Sequence, residues 1–257
     1  MTKNPTQALT QQRAPHPIQA ALQQSQQEFT RLLGDPQKAD RFARAALTAC
    51  KLGYKLMDCQ PNTVVASCMK AAQLDLEVGP ELGQAYLIAY GNECKMEIGY
   101  QGLLELAQRS GVVQTVVVQE VYANDEFAQS LGSDPELTHI PVAWDQEPGE
   151  VIGYYACVKT VNGGTYFTAW SKQRCMAHGQ KYSRSFSKNS SPWKTNPDAM
   201  CKKTVLKQTL KLIPKSVELK RAVFNDEKAD LPEDMIPDAD YTVTGGDGDP
   251  ADGGSQE

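Results

Sequence analysis

Three lysines are spaced so that they fall on one side of a helix. Lys203, Lys207 and Lys211 recur every fourth residue in a segment with helical periodicity, which places them within about 80° of one another around the axis. Charges that repeat about every 6 Å along an axis can follow an extended sugar–phosphate backbone. The same spacing also describes the solvated face of a surface helix, so the stripe alone leaves both interpretations open.

A fourth lysine in this segment stands apart from the stripe. Lys202 falls among the apolar residues on the opposite side of the predicted helix. Because burying an unpaired ammonium group is unfavourable, Lys202 requires a carboxylate, a path for its side chain to solvent, or a bound anion. It is therefore a candidate contact for an anionic ligand or a member of an ion pair.

The net charge of −5 hides a separation of charge along the 257 residues. Residues 1–158 hold 11 basic and 18 acidic residues, residues 159–221 hold 14 and 2, and residues 222–257 hold 1 and 11. Only Asp198 and Glu218 offset the basic residues of the middle segment. This asymmetry predicts a face that binds a polyanion, followed by an acidic tail.

Aromatic residues interleave with the basic segment, since 8 of the 19 in the chain fall between residues 154 and 193. Basic residues combined with stacking platforms are typical of proteins that bind single-stranded nucleic acid, where each stacked base contributes about 1–3 kcal/mol. Strand aromatics more often belong to a core, so Tyr182 and Trp193, in a polar loop, are the better stacking candidates. The other predicted contacts in this segment are cationic: Lys172, Arg174, Lys181 and Lys194.

The sequence lacks the motifs of several enzyme classes. It contains no G-x-x-x-x-G-K-[ST] motif, which argues against an ATP-driven motor. The basic segment has no clustered carboxylates that would serve a two-metal nuclease, and we interpret the neighbouring Glu120, Asp125 and Glu126 as a solvated loop. The seven cysteines form no C-x-x-C pair, which favours reduced thiols over a zinc site or a disulfide framework.

The elements that position these residues can be predicted from periodicity and capping signals. An aspartate or asparagine followed by proline predicts helix starts at Asp35 and Asn196. The predicted helices are 18–33, 36–57, 63–74, 101–110, 171–180 and 197–213. The predicted strands are 84–90, 94–98, 112–122, 151–161 and 165–170, and residues 123–150 are expected to be mostly loop. Helices followed by antiparallel hairpins indicate an α+β fold.

Composition divides the chain into three parts. Residues 1–17 are predicted to be a disordered arm, residues 18–225 the nucleic-acid-binding domain, and residues 226–257 an acidic disordered tail. No apolar run reaches the roughly 18–20 residues of a membrane span, and the start lacks a secretory signal. We therefore expect a protein of the cytoplasm.

Several segments in register resemble the RecT family of phage single-strand annealing proteins. They are 74–79 (LDLEVG), 82–92 (LGQAYLIAYGN), 99–111 (GYQGLLELAQRSG), 121–127 (VYANDEF), the turn at 163–164, 191–193 (SPW), 199–207 (AMCKKTVLK), 212–214 (LIP) and 222–226 (AVFND). The resemblance covers roughly residues 35–227.

The resemblance implies annealing of complementary DNA strands and strand exchange without ATP, in homologous recombination. It further implies a β-β-β-α core, assembly into rings or filaments, a partner exonuclease, and in the bacterial host a single-strand-binding protein. The resemblance implies that the activity requires no cofactor. It leaves open whether Mg²⁺ binds the protein or only screens DNA. The residues on motif positions are the predicted DNA contacts: Tyr86, Tyr100, Arg109, Trp193, Lys202, Lys203, Lys207 and Lys211.

The chain departs from the family pattern at a few positions. Gln101 stands where relatives carry Arg or Lys, and Gln208 where a second Arg is common. Asp75, Val78 and Ala89 replace the usual Gly, Pro and Pro. The two missing charges affect a particular phosphate contact rather than the overall function.

Two other functions compete with annealing. A metal-dependent nuclease with a basic groove would cleave DNA in the presence of Mg²⁺. An interaction protein that binds an acidic partner would show no preference for single strands over duplex. The acidic tail has two interpretations as well: it competes with DNA for the basic face or recruits partners, or it only solvates the chain.

Overall fold

The first part of the chain is helical. A computed structural model describes residues 15–189 and 191–214, beginning with helices whose apolar faces pack together, Phe29 against Phe42 at 5.3 Å between ring centroids. Asp35 caps its helix as predicted, since its Oδ1 accepts a hydrogen bond from the backbone N–H of Gln37 at 2.8 Å. The elements are α1 (Pro17–Gln24), α2 (Gln26–Leu33), α3 (Pro36–Leu52), a 3₁₀ turn (Leu56–Asp58) and α4 (Pro61–Gln73).

Two helix boundaries differ from the prediction. The single helix expected over 18–33 is divided at Ser25, whose ψ of 3° departs from helical geometry and whose hydroxyl and backbone N–H both donate to the carbonyl of Ala21. The helix expected to reach residue 57 ends at Leu52, because the chain turns at Gly53 and Lys55 adopts a positive φ of 56°. A Cβ on Gly53 would lie 2.2 Å from Leu56 Cδ1, so a larger residue there would force the Leu56 side chain to move.

A hairpin and a short helix follow as predicted. Strands β1 (Ala85–Tyr90) and β2 (Glu93–Ile98) pair antiparallel across a turn at Gly91, whose φ is 63°. The hairpin is tied to α4 by the Ser67 hydroxyl, which donates to the carbonyl of Cys94 at 2.8 Å. Helix α5 (Tyr100–Arg109) then ends before Gly111.

The second half is built around an antiparallel sheet. The remaining strands are β3 (Val113–Tyr122), β4 (Glu126–Ser130), β5 (Glu136–Ile140), β6 (Val151–Thr160) and β7 (Thr165–Ser171). Three of them form a sheet in the order β3-β6-β7, with both pairs antiparallel. The combination of helices with antiparallel strands confirms the α+β prediction.

The β4–β5 hairpin corrects the prediction of a loop over 123–150. Its strands carry little apolar character, since only alternate residues such as Phe127 are half-buried and the rest are exposed. The Phe127 ring lies 5.8 Å from both His139 and Tyr155, which anchors the hairpin to the central strand β6.

Asp125 is likewise not a solvated loop residue. Its side chain is 1% exposed and lies 3.0 Å from Nε2 of His139. Burial opposes ionisation, but hydrogen bonds from His139 and from the backbone N–H groups of Tyr122 and Val142 outweigh it and hold the pKa of Asp125 below its usual value. The carboxylate therefore fixes the loop that leads into the hairpin.

Three helices complete the described chain: α6 (Lys172–Tyr182), α7 (Pro192–Thr195) and α8 (Pro197–Leu212). Helix α8 packs on the sheet, where the Thr209 hydroxyl donates to the carbonyl of Ala156 at 3.2 Å. Asn196 caps α8 by accepting from the N–H of Ala199. The sheet thus covers one side of α8, and α6 and α7 pack against it as well.

Most of the predicted arm (residues 1–14) and the whole predicted tail lie outside the described residues. Within the described ranges, no helix is both long enough and apolar enough to cross a membrane. The same ranges contain no group of three or more His, Cys, Asp or Glu side chains arranged to hold a metal ion.

Candidate nucleic-acid interface

A cleft between α6, α7 and α8 brings together several of the predicted contacts. It is a small cavity, partly open to solvent. Lys203 and Lys207 of α8 lie on one wall, and Trp193 of α7 on another. The remaining lining residues are His178, Gly179, Tyr182, Ser183, Met200 and Thr204. We call this feature the α6–α8 cleft.

The lysine stripe is not the exposed ridge that its spacing predicts. Lys207 is only 7% exposed, and Lys203 and Lys211 are half-buried. Leu212, one of the apolar residues near the end of α8, is 57% exposed. The reason is that α6 and α7 pack against the side of α8 that an isolated sheet–helix pair would leave in solvent. Two of the three lysines therefore line a cleft rather than a solvated face.

Trp193 forms a wall of the cleft rather than an exposed stacking platform. It is 4% exposed, and a Cβ on Gly179 would approach its ring to 2.6 Å, so the indole lies directly on the α6 backbone. Phe186 contacts its ring at 5.6 Å between centroids. Its buried indole N–H has no hydrogen-bond partner among the described residues. Trp193 therefore has a packing role in this structure, and its assignment as a DNA contact stays a prediction.

Cations rest on aromatic rings near the cleft. The Arg174 guanidinium lies 4.3 Å from the ring centroid of Trp170, and guanidinium groups of this kind can also stack on bases. Arg174 is exposed, as are Lys181 and Lys194. Lysine pairs of this kind include Lys181 with Tyr182 (5.0 Å), Lys194 with Phe186 (5.3 Å) and Lys188 with Tyr90 (5.7 Å).

Two of these residues, Lys188 and Tyr90, were not predicted from the sequence. Lys188 belongs to the basic segment, which is the signal that could have identified it, but it lies in a serine-rich loop with no helical spacing. Tyr90 lies in β1, about a hundred residues earlier, so only the folded chain reveals its contact with Lys188.

Lys202 has a carboxylate partner within the protein. Its Nζ lies 2.9 Å from Oε1 of Glu120, and the Tyr122 hydroxyl donates to Oε2 of the same carboxylate at 2.7 Å. Partial burial opposes ionisation of Glu120, but these two hydrogen bonds outweigh it and lower its pKa. Glu120 is therefore not a solvated loop residue. Tyr100 lies within electrostatic range of Lys202, which opposes the rise that burial causes in its pKa.

A second carboxylate organises the start of α8. Asp198 accepts a hydrogen bond from the Tyr154 hydroxyl and lies 3.4 Å from Nζ of Lys172. The Tyr154 hydrogen bond is the main reason that the pKa of Asp198 is lowered. Lys172 and Lys202 thus hold intramolecular carboxylates at this side of the sheet.

Arg109 and Tyr86 do not line the α6–α8 cleft. Arg109 Nη2 donates to the carbonyl of Leu74 at 2.6 Å, and its guanidinium forms an ion pair with Asp75 at 3.4 Å. These contacts fasten α5 to the end of α4. Tyr86 is 38% exposed and lies against Gly99, so it is close in the chain and in space to the start of α5.

Comparisons with known proteins identify the family of the chain. Residues 40–241 match the model of the RecT family. The protein RecT of Escherichia coli K12 is 34% identical over 218 residues, covering 81% of this chain and 77% of that protein. The uncharacterized protein YqaK of Bacillus subtilis 168 is 30% identical over 214 residues, covering 82% and 72%. On the extent of the family match and of both relatives, this chain belongs to the RecT family of single-strand annealing proteins.

Proposed function

We propose that the protein anneals complementary single strands of DNA by holding one strand along the α6–α8 cleft and its cationic rim. It acts in recombination as an ATP-independent annealing protein rather than as an enzyme. The observation that carries the proposal is the placement of Lys203 and Lys207 in one cleft, within a chain that matches the family over residues 40–241.

The proposed mechanism is physical. Cationic side chains hold the strand by its phosphates, which leaves the edges of the bases free to pair. Neutralising phosphates weakens the repulsion between two strands, and base pairing supplies the specificity. Arg174, with one guanidinium face on Trp170, would support a base by stacking.

The finer assignments belong to the same proposal. We assign β3, β6, β7 and α8 to the β-β-β-α annealing core. We also propose that protomers assemble into rings or filaments that present many bases at once, and that an exonuclease supplies the single strands. A host single-strand-binding protein would be a further partner, and the site of action would be the bacterial cytoplasm.

The direct test mixes complementary labelled oligonucleotides with the protein and Mg²⁺, without ATP. We expect intact strands converted into duplex on native gels, with unchanged lengths on denaturing gels. Shortened or nicked strands would indicate a nuclease instead. Equal affinity for single strands and duplex, without annealing, would favour an interaction protein.

A further inference from the structure

One stretch of the chain is strongly acidic and lies away from the α6–α8 cleft lining. Residues 110–158 contain no Lys or Arg and eight Asp or Glu. Six of these carboxylates are exposed, and none has an ion-pair partner among the described residues. They lie on the β4–β5 hairpin and the loop that follows it: Glu126, Asp134, Glu136, Asp145, Glu147 and Glu150.

Large apolar side chains are exposed along the same hairpin and the loop that follows it. Trp144, in the loop after β5, is fully exposed, Leu131 at the tip of the hairpin is 77% exposed, and Ile140 at the end of β5 is 52% exposed. Aromatic residues surrounded by polar ones at a protein surface mark interaction sites. We call these three residues and the six carboxylates the acidic hairpin surface. Its charge makes DNA an unsuitable occupant.

The chain carries a second surface of matching chemistry and opposite charge. At the end of α3, Leu52 is 70% exposed and Tyr54 is 82% exposed. Exposed cations flank them: Lys51 and Lys55 adjoin them, and Arg41 falls on the same side of α3, three turns earlier. We call these five residues the basic α3 surface.

The basic α3 surface is held in shape by its backbone. Lys55 adopts a left-handed conformation with φ of 56°, and its Nζ lies 5.3 Å from the centroid of the Tyr54 ring. The cation and the aromatic ring are therefore presented together, immediately after the helix ends. Such an arrangement suits an acidic partner that brings an aromatic side chain of its own.

We propose that the acidic hairpin surface of one protomer docks on the basic α3 surface of a second copy of this chain. Both surfaces combine exposed aromatic and aliphatic side chains with exposed charges, and the charges of the two surfaces are opposite in sign. Because the contacting surfaces differ, the contact is head-to-tail and propagates into a ring or a filament. The inference rests on the proposed function in one respect: it names the surfaces through which the annealing oligomer assembles.

A charge-swap experiment tests this assignment in the absence of DNA. The acidic variant carries Glu136→Lys, Asp145→Lys and Glu147→Lys, and the basic variant carries Lys51→Glu and Lys55→Glu. Sedimentation velocity should show that the association constant between protomers falls at least about tenfold in each variant. The reason is that the charges of the two surfaces then repel instead of attracting each other. A mixture of the two variants should assemble again, since both surfaces of each variant are then complementary to surfaces of the other and the two can alternate.

Control variants reverse charges outside both surfaces. Lys70→Glu on α4 and Glu93→Lys at the start of β2 both alter exposed residues and should leave assembly unchanged. Trp144→Ala, which changes no charge, should weaken assembly in the same way as the acidic variant. Circular dichroism spectra that match the wild type would establish that each variant is folded.

Three results would overturn the inference: a wild-type chain that stays monomeric, assembly that is indifferent to both reversals, or a mixture that fails to recover. The failure of the proposed function would look different. If the wild-type protein does not anneal DNA but the charge-swap variants change its assembly, the proposed interface stands and the annealing role fails. If the wild-type protein anneals DNA but the variants assemble as it does, the annealing role stands and the proposed interface fails.

Discussion

Lys202 illustrates how an ion pair between distant residues determines the behaviour of a single side chain. Its Nζ holds Glu120 at 2.9 Å, and the pKa of Glu120 is lowered. A carboxyl group with a depressed pKa in the folded state stabilises the fold above its ordinary pKa of about 4.3, and this contribution disappears as the pH falls through the folded value. The stability that the pair supplies should therefore depend on pH.

We predict that Lys202→Met lowers the free energy of unfolding by about 1 kcal/mol at pH 7 and by less at a pH below the folded pKa of Glu120, where the carboxylate takes up its proton in both proteins. Urea denaturation at the two pH values measures the difference. Lys70→Met, an exposed lysine on α4, serves as the matched control and should show no dependence on pH. An equal decrease at both pH values for Lys202→Met would mean that packing, not charge, is responsible.

The sequence predicted that the charge of Lys202 needs compensation, but not which residue provides it. Its position among apolar neighbours predicted that it needs a carboxylate, a path to solvent or an anion. Glu120 precedes it by more than eighty residues and belongs to β3, so the pairing depends on where α8 crosses the sheet. Periodicity within one helix carries no such information.

At the scale of elements, capping signals predicted helix starts well and packing partners poorly. Asp35 and Asn196 both cap helices, and both glycine turns of the predicted hairpins are present. The β4–β5 hairpin was missed because its strands bury little, which leaves a weak apolar alternation. The burial of Lys207 was missed because α6 and α7 contact a side of α8 that its own sequence marks as polar.

The contact between α6 and α7 gives a prediction about Gly179. Alanine is normally the better helix residue by about 1 kcal/mol. At this position, however, its Cβ would approach ring atoms of Trp193 to 2.6 Å. We expect Gly179→Ala to destabilise the protein by about 1–3 kcal/mol, because the indole must shift. Gln180→Ala, the exposed neighbour on α6, is the control and should be neutral or stabilising in thermal denaturation.

The placement of the α8 lysines gives a second prediction at this scale. Lys203→Gln combined with Lys207→Gln should weaken binding to single strands of any sequence alike, because phosphate contacts carry no sequence information. The slope of log affinity against log salt should become shallower by about 0.7 for each phosphate that the variant no longer neutralises. Fluorescence anisotropy across a salt series measures both quantities. Unchanged affinity and slope would show that the cleft does not hold the strand, and Lys70→Gln is the control.

For the whole molecule, the decisive property is the distribution of charge rather than its total. The chain is acidic overall, yet residues 159–221 carry 14 basic residues against 2 acidic ones. The described structure gathers part of this charge around one cleft and leaves a separate acidic surface on the β4–β5 hairpin. The basic segment and the acidic tail were evident from composition, but the acidic hairpin surface emerged only from the folded chain.

The acidic tail provides the prediction that depends on the entire chain. Deleting residues 228–257 removes 9 acidic residues and 1 basic residue. If the tail occupies the basic face, DNA must displace it, so the truncated protein should bind single strands more tightly at low salt and with a steeper salt slope. The difference should vanish near 1 M salt, where the screening length falls to about 3 Å.

A variant with an uncharged tail of equal length separates the effect of the tail's charge from the effect of its length. Replacing its Asp and Glu residues by Asn and Gln keeps the chain length and removes the competing charge. If electrostatic competition operates, the neutral tail should reproduce the tighter binding of the truncated protein in the same anisotropy titrations. If the intact, neutral and truncated chains show the same affinity at every salt concentration, the tail only solvates the protein. Residues 159–221, with a net charge of +12, then bind DNA without internal competition.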